Sequence, residues 1–213
     1  MFDCVTREMN CPTCGKKHKV DFWPNISVLR NKKVKEKVLD ASLFQLKCKR
    51  CKEVTKLEYS CFYLDETKKI IVCSIVKDEW QNAYDKIKPY EGKGYKIRFV
   101  PSNVKLHEKI KIFESGLKDT IIEYLKIQLA IGLAKDEKGQ LDVMQNSFFT
   151  GLAQGKDGGQ VLNFYYCSKT VQYHKTGYDG LLSVWPEEFV NEEGKAEKIV
   201  NFKTVLTYYN KYQ

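Results

Sequence analysis

The spacing of apolar residues predicts a chain of mixed helices and strands. Stretches that alternate between apolar and polar side chains, or that are rich in β-branched and aromatic residues, predict strands. They cover residues 20–23, 44–47, 54–64, 70–76, 95–100, 161–166, 181–185 and 199–209. Apolar residues three or four positions apart predict helices over residues 31–41, 102–114 and 117–134. The polar stretch 81–93 contains Pro89 and predicts a loop, so the fold class that we expect is α+β.

Two Cys-x-x-Cys pairs are the most informative feature of the chain. The first is Cys11-Pro12-Thr13-Cys14-Gly15 and the second is Cys48-Lys49-Arg50-Cys51. Pairs of this kind, on tight turns, bring four thiolates onto one tetrahedral ion, which is typical of a structural zinc site. We therefore expect one structural Zn²⁺, bound by Cys11, Cys14, Cys48 and Cys51. The second pair departs from the usual pattern, because Lys52 stands where a glycine is expected.

Several separated stretches carry a resemblance to a known family. They are the two cysteine pairs, residues 39–44 and residues 109–117. Together they make residues 11–126 similar to the CpXC family, although Lys49 replaces the proline that the family has in its second pair. The resemblance implies a domain with two cysteine pairs, and it implies no particular activity.

The extent of this resemblance suggests two regions. We expect residues 1–134 to form a CpXC-like zinc-binding domain, with zinc-ribbon-like knuckles on a small antiparallel sheet and flanking helices. Residues 135–213 are expected to form a β-rich, aromatic region packed on the first. Its apolar content is small for an independent core.

Composition points to a globular protein in a reducing compartment. The chain has 213 residues and a hydrophobic fraction of 43%, and no apolar run approaches the roughly 20 residues that span a bilayer. Its first residues lack the pattern of a signal peptide, so we expect a cytoplasmic location. Eight cysteines in that setting favour a metal site over disulfides.

The positive charge is concentrated near the cysteines. Residues 1–60 hold 14 Lys and Arg against 7 Asp and Glu, whereas the whole chain has a net charge of +9. A zinc ion with four thiolates carries a formal charge of −2, which nearby cations would balance. The alternative is a nucleic-acid surface, with Lys96 and Arg98 on one face of a strand as further members. We favour charge balance by Lys16, Lys17, Lys49, Arg50 and Lys52.

Other candidate motifs have simpler interpretations. His18 could replace a thiolate, but four cysteines make that unnecessary. His107-Glu108 begins like a metalloprotease motif, but Lys111 occupies the position of the second histidine. Residues 151–159 are rich in glycine, but their spacing predicts a turn instead of a phosphate-binding loop.

The remaining cysteines and the aromatic residues are expected to serve packing. Cys61 and Cys73 lie in predicted strands and should be buried, and Cys4 and Cys167 have no partner at ligand spacing. A set of C-terminal aromatic residues could stack on bases, but we favour packing. The set comprises Tyr165, Tyr166, Tyr173, Tyr178, Trp185, Tyr208, Tyr209 and Tyr212.

Three function classes follow. The leading hypothesis is a zinc-stabilised binding or scaffold module that recognises a protein or a nucleic acid, without a recognisable catalytic site. The second is a thiol redox protein that cycles its Cys-x-x-Cys pairs between dithiol and disulfide. The third is an enzyme whose site lies between the two regions.

Overall fold

The computed structural model describes residues 4–76, 78–190 and 195–212, without the side chains of residues 209, 211 and 212. The chain divides into two compact units, Met1–His107 and Glu108–Gln213. The sequence-based boundary near residue 134 follows the extent of the family resemblance and stays a prediction. No helix in the described ranges has both the length and the apolar character to cross a bilayer.

The first unit is mainly β-structure with short helices. In chain order its elements are β1 (Val5–Asn10), β2 (Lys17–Phe22), β3 (Asn25–Ser27), α1 (Lys32–Leu39), β4 (Gln45–Lys47), β5 (Val54–Lys56), β6 (Cys61–Asp65), β7 (Ile70–Ser74), α2 (Trp80–Ile87) and β8 (Lys96–Val100). Helix α3 (Asn103–Glu114) begins in this unit and ends in the second.

These strands form two hairpins and one larger sheet. β1 pairs with β2 and β4 pairs with β5, both antiparallel, and each hairpin carries one cysteine pair at its turn. The larger sheet has the order β3-β6-β7-β8. β6 and β7 form the antiparallel hairpin that the sequence predicts, whereas the β3–β6 and β7–β8 pairs are parallel. The predicted strand over residues 54–64 is two strands, β5 and β6.

Helix α2 corrects the prediction of a loop over residues 81–93. Ala83 and Ile87 are buried against the sheet, one helical turn apart. Trp80 and Tyr84 place their rings 5.8 Å and 5.1 Å from the ring centroid of Phe99 on β8. The spacing of these four α2 residues is helical, but the polar residues between them and Pro89 outweighed it in the sequence analysis. The helix provides the crossover that the parallel β7–β8 pair requires.

Strand β8 forms where the sequence predicts it, but the exposed basic face expected for Lys96 and Arg98 is not formed by both residues. Four of its five residues are buried, and Arg98 is only 5% exposed. One Arg98 guanidinium nitrogen donates to the Ile97 carbonyl at 3.0 Å. The sheet is covered on the face where Arg98 lies, so the expected surface of Lys96 and Arg98 is wrong for Arg98.

The second unit combines helices with a small sheet. In chain order its further elements are α4 (Asp119–Leu133), α5 (Glu137–Asn146), β9 (Phe148–Gln154), β10 (Gln160–Tyr166), β11 (Lys169–His174), α6 (Lys175–Val184) and α7 (Phe202–Tyr212). The sheet is antiparallel with the order β11-β10-β9. The Gly155 N–H donates to the Gly159 carbonyl at 2.7 Å and closes the β9–β10 hairpin. The glycine-rich segment is therefore a turn, as predicted.

Two of the three strands predicted for this region are wrong. Residues 181–184 belong to helix α6, on which Tyr178 is buried while Val184 is exposed. Residues 202–209 belong to helix α7, on which Phe202 and Val205 are buried three positions apart. The Asn201 side-chain oxygen accepts hydrogen bonds from the N–H groups of Lys203 and Thr204 in the first turn, and Asn201 precedes the helix. The alternation of apolar residues fits both periods over so short a stretch.

Two of the C-terminal aromatic residues, Tyr178 and Trp185, serve packing, as predicted. The Tyr178 hydroxyl accepts a hydrogen bond from the Lys118 N–H at 2.7 Å, and the Trp185 indole donates to the Thr120 hydroxyl at 2.9 Å. Both aromatic side chains are buried. Tyr165 is exposed. The side chains of Tyr209 and Tyr212, which belong to the same predicted set, lie outside the described part of the structure.

A buried charge network, which the sequence analysis missed, lies in the second unit. Lys126 is fully buried, and its Nζ lies 2.6 Å from Glu108 Oε1 and 3.2 Å from Glu123 Oε1. Lys109, also buried, lies 3.2 Å from Glu123 Oε1 and 3.1 Å from Asp119 Oδ2. Glu108 Oε1 also accepts the backbone N–H of Phe149 at 2.8 Å. We call these five ionisable residues of α3 and α4 the buried charge network.

Candidate metal centre

The first cysteine pair forms the turn between β1 and β2. Strand pairing ends at Asn10 and Lys17, and the intervening loop closes on itself. The Cys11 N–H donates to the Lys16 carbonyl at 2.9 Å, and the Gly15 N–H donates to the Cys11 carbonyl at 2.9 Å. Gly15 has a φ of 69°, so its left-handed backbone suits glycine.

The second pair repeats this geometry between β4 and β5. The Cys48 N–H donates to the Glu53 carbonyl at 2.8 Å, and the Lys52 N–H donates to the Cys48 carbonyl at 3.0 Å. Lys52 has a φ of 65°, nearly that of Gly15. A lysine in place of glycine therefore adds backbone strain to the turn but leaves the shape of the turn unchanged.

A small apolar core joins the two hairpins. Val20 of β2, Leu46 of β4 and Leu57 after β5 are buried together. The Tyr59 ring packs against Phe22 at a centroid distance of 5.2 Å. This core holds the two turns beside each other, so that segments far apart in sequence present their sulfurs to one point.

The four sulfurs have the geometry of a tetrahedral thiolate site. Cys11 Sγ lies 3.6 Å from Cys51 Sγ, and Cys14 Sγ lies 3.6 Å from Cys48 Sγ. All four lie within 4.8 Å of one another. A tetrahedron with metal–sulfur bonds of about 2.3 Å has edges of about 3.8 Å, so these residues fit a tetrahedral metal ion. Within the described residues, this is the set of three or more ligand side chains that could hold a metal ion.

Backbone N–H groups make the buried cysteines acidic. The N–H of Cys51 is the main cause of a pKa of about 5 for Cys48. Burial raises this pKa, but the N–H of Arg50 and the His18 ring also lower it, so the net pKa is low. Each donor stabilises the thiolate over the thiol. The lysines of the two turns are not the main cause of this lowered pKa.

The pKa values of Cys11 and Cys51 are shifted in opposite directions. The N–H of Cys14 is the main cause of the lowered pKa of Cys11. The N–H of Glu53 also favours a thiolate at Cys51, but burial and hydrogen bonds to the other thiols outweigh it and raise the pKa of Cys51 to about 12. A cation bound by four thiolates would displace the protons that remain on these sulfurs.

His18 contacts this cluster, a role that the sequence analysis missed. Its Nε2 lies 3.3 Å from Cys48 Sγ, within hydrogen-bond distance of the sulfur. His18 is buried on β2, on the same side as Val20. Only its spacing from Cys14 as a possible ligand was considered. The alternation of β2 places its first inward residue beside the turn, and this pattern could have revealed the contact.

The other predicted residues lie apart from the cluster. Cys61 and Cys73 are buried, as predicted, and burial raises the pKa of Cys73 to about 12. Cys167 is exposed. The His107 ring contacts the Leu39 carbonyl at 3.0 Å, which gives it a structural role near helix α1. The lysines and the arginine of the two turns are exposed, as charge balance and a nucleic-acid surface both require.

The sequence profile of the CpXC protein family matches residues 9–126, more than half of the chain. The match includes both cysteine pairs and agrees with the resemblance seen in the sequence. No curated protein and no solved structure matches the chain. The chain belongs to the CpXC protein family.

Proposed function

We propose that the first unit is a zinc-stabilised binding module. The observation that supports this proposal is the convergence of four sulfurs, from two turns of the same shape, within 4.8 Å of one another. Four thiolates select soft or borderline cations, and zinc is the ion most often held by such a set. A closed shell of four protein ligands leaves no position for water or substrate, so we infer a structural metal.

The cross-hairpin contacts favour metal binding over redox cycling. Sulfur contacts of 3.6 Å join Cys11 to Cys51 and Cys14 to Cys48 across the two turns, in addition to the contacts within each pair. A redox Cys-x-x-Cys motif would form its disulfide within one pair. The metal instead connects two hairpins about 34 residues apart. A cross-link over such a loop stabilises a fold by about 3–4 kcal/mol in the chain-entropy treatment used for disulfides.

Metal analysis tests this proposal. Protein purified without added metal should contain one zinc per chain by inductively coupled plasma mass spectrometry. Replacing Cys11, Cys14, Cys48 or Cys51 with Ser should empty the site. The matched controls are Cys4→Ser and Cys167→Ser, which should leave the metal content unchanged because neither residue belongs to the cluster.

Chelation distinguishes a structural metal from a redox pair. We expect it to lower the thermal stability of the protein and to increase hydrogen exchange first in residues 5–22 and 45–56. If chelation leaves stability unchanged while the released thiols reduce insulin, the redox hypothesis replaces this proposal. A metal-free protein of undiminished stability would also refute it.

A nucleic-acid surface is the second candidate, because the basic residues of both turns are exposed. It predicts that log K falls linearly with log salt, by about 0.9 for each phosphate neutralised on duplex DNA. Replacing Lys49 and Arg50 with Ser would then reduce the slope by one to two while zinc stays bound. If these residues only balance the site, binding occurs at low salt alone and the slope does not change. We expect this second outcome.

A further inference from the structure

A groove of about 410 Å³ opens on one face of the four-stranded sheet of the first unit. Its volume lies within the range of about 300–1,000 Å³ that is typical of small-molecule sites. The floor comes from strands β3 and β6, and the wall comes from α2 and the residues after it.

The groove exists because helix α2 covers only part of the sheet. The Trp80 and Tyr84 rings pack on Phe99 of β8, at the far edge of the sheet from β3. On the near side, Phe62 of β6 pairs in register with Asn25 of β3, so both side chains face the groove. Phe62 is only half-buried, unlike Leu64 on the same strand.

The groove combines two aromatic rings, one from the floor and one from the wall, with a cation. The rings of Phe62 and Tyr90 lie 6.1 Å apart, with 38° between their planes. Lys86 Nζ lies 6.0 Å from the centroid of Phe62. An anionic group bound to Lys86 would therefore bring an attached flat ring onto Phe62 and Tyr90.

Three polar groups that line the groove are available to a ligand. Neither the Lys86 ammonium, the Asn82 amide nor the Tyr90 hydroxyl has a hydrogen-bond or ion-pair partner among the residues that the structure describes. Asp85 differs, since Lys88 Nζ lies 2.8 Å and Gln81 Nε2 lies 3.1 Å from its carboxylate. The Asp85 carboxylate thus already has hydrogen-bond partners, whereas the half-buried Lys86 ammonium is available to a ligand.

We propose that this groove binds a small, planar aromatic molecule that carries one anionic group. The ring lies against Phe62 and Tyr90, and the anion binds Lys86, with Arg30 at the rim as a second cation. A nucleoside monophosphate and an aromatic carboxylate share this chemistry. The inference goes beyond the metal centre and does not depend on it, because no cysteine of the cluster lines the groove.

Isothermal titration calorimetry on the full-length protein tests the inference. The probes are AMP and anthranilate, each compared with its uncharged counterpart, adenosine and aniline. We expect saturable one-to-one binding of at least one charged probe, with affinity at least tenfold above that of its counterpart. AMP alone would identify a nucleotide site, and anthranilate alone would identify a carboxylate site. Binding of neither, or equal affinity for charged and uncharged partners, would overturn the proposal without affecting the zinc measurement.

Variants locate the binding site. Lys86→Met should weaken binding at least tenfold, because it removes the charge and keeps the aliphatic chain. Lys93→Met is the matched control, since Lys93 is exposed in the same unit and lies outside the groove. Phe62→Leu should also weaken binding. Equal losses in the Lys86 and Lys93 variants would overturn the proposed site. The comparison of charged and uncharged probes needs no variant, so it decides the case even if one fails to fold.

Discussion

The buried charge network makes a quantitative prediction about Lys126. In the variant Lys126→Met the side chain keeps its approximate length and loses its charge. Glu123 still has Lys109 within 3.2 Å, whereas Glu108 loses the ammonium that lies 2.6 Å from its carboxylate and still accepts the Phe149 N–H. Removing one member of a buried ion pair typically costs about 3–5 kcal/mol, because the remaining charge stays buried without compensation. We expect a loss of this size in the free energy of unfolding.

Urea denaturation followed by tryptophan fluorescence measures this loss in the second unit. Trp23 and Trp80 belong to the first unit, so replacing both with Phe leaves Trp185 as the reporter. Its indole donates to Thr120 on the same helix that carries Lys126. On a chain of this size, a loss of 3–5 kcal/mol corresponds to a fall in Tm of roughly 10 °C.

Two further variants separate the charge effect from general damage. Lys175→Met removes a more exposed ion pair with Asp179 in the same unit and should cost less than about 1 kcal/mol. The double variant Lys126→Met with Glu108→Gln also removes the Glu108 charge and keeps a side-chain oxygen that accepts the Phe149 N–H. It should recover at least half of the loss. A cost below about 1 kcal/mol for Lys126→Met, or no recovery in the double variant, would refute the reasoning.

Three other substitutions have defined outcomes. Lys52→Gly should raise the free energy of unfolding by about 0.5–1 kcal/mol, because φ is 65° there, and a loss in thermal denaturation would contradict this. His18→Phe should lower metal affinity about tenfold in competition with a chromogenic chelator, and an unchanged affinity would exclude a role for its contact with Cys48. Burial raises the pKa of Asp65, but the Lys68 N–H and the Lys35 ammonium outweigh it, so the net pKa is lowered. Its stabilisation is fully present at neutral pH and is lost progressively as pH falls from about 4 through the lowered pKa, so Asp65→Asn should cost about 2 kcal/mol at pH 7 and progressively less in more acidic buffers, as measured by urea titrations.

The sequence predicted features that depend on neighbouring residues. Cys-x-x-Cys fixes the shape of a turn, so both knuckles were found although Lys52 breaks the glycine rule. The helix predicted over residues 102–114 ends where α3 ends, and just beyond it Gly116 has a φ of 70° and the Leu117 N–H donates to the Ile112 carbonyl. The aromatic and aliphatic content of residues 161–166 was also sufficient to predict β10.

Features that depend on distant residues were not predicted. Helices α6 and α7 look like strands because short apolar runs fit two periods, and only packing selects one. The buried charge network joins residues up to 18 positions apart, and lysine and glutamate ordinarily indicate a surface. The groove arises from the partial coverage of a sheet by one helix, which is a property of the assembled unit.

The buried charge network also bears on how sequences of this family can diverge. The family match spans residues 9–126, so it contains all five members and ends at Lys126 itself. A substitution at one member removes at least one ion pair from another buried member, whereas coordinated changes to apolar residues of similar volume are tolerated. The five positions should therefore vary together among related chains, either all ionisable or replaced as a group. Covariation of these five positions would therefore identify members of the family more specifically than the surface lysines, which can be substituted independently of one another.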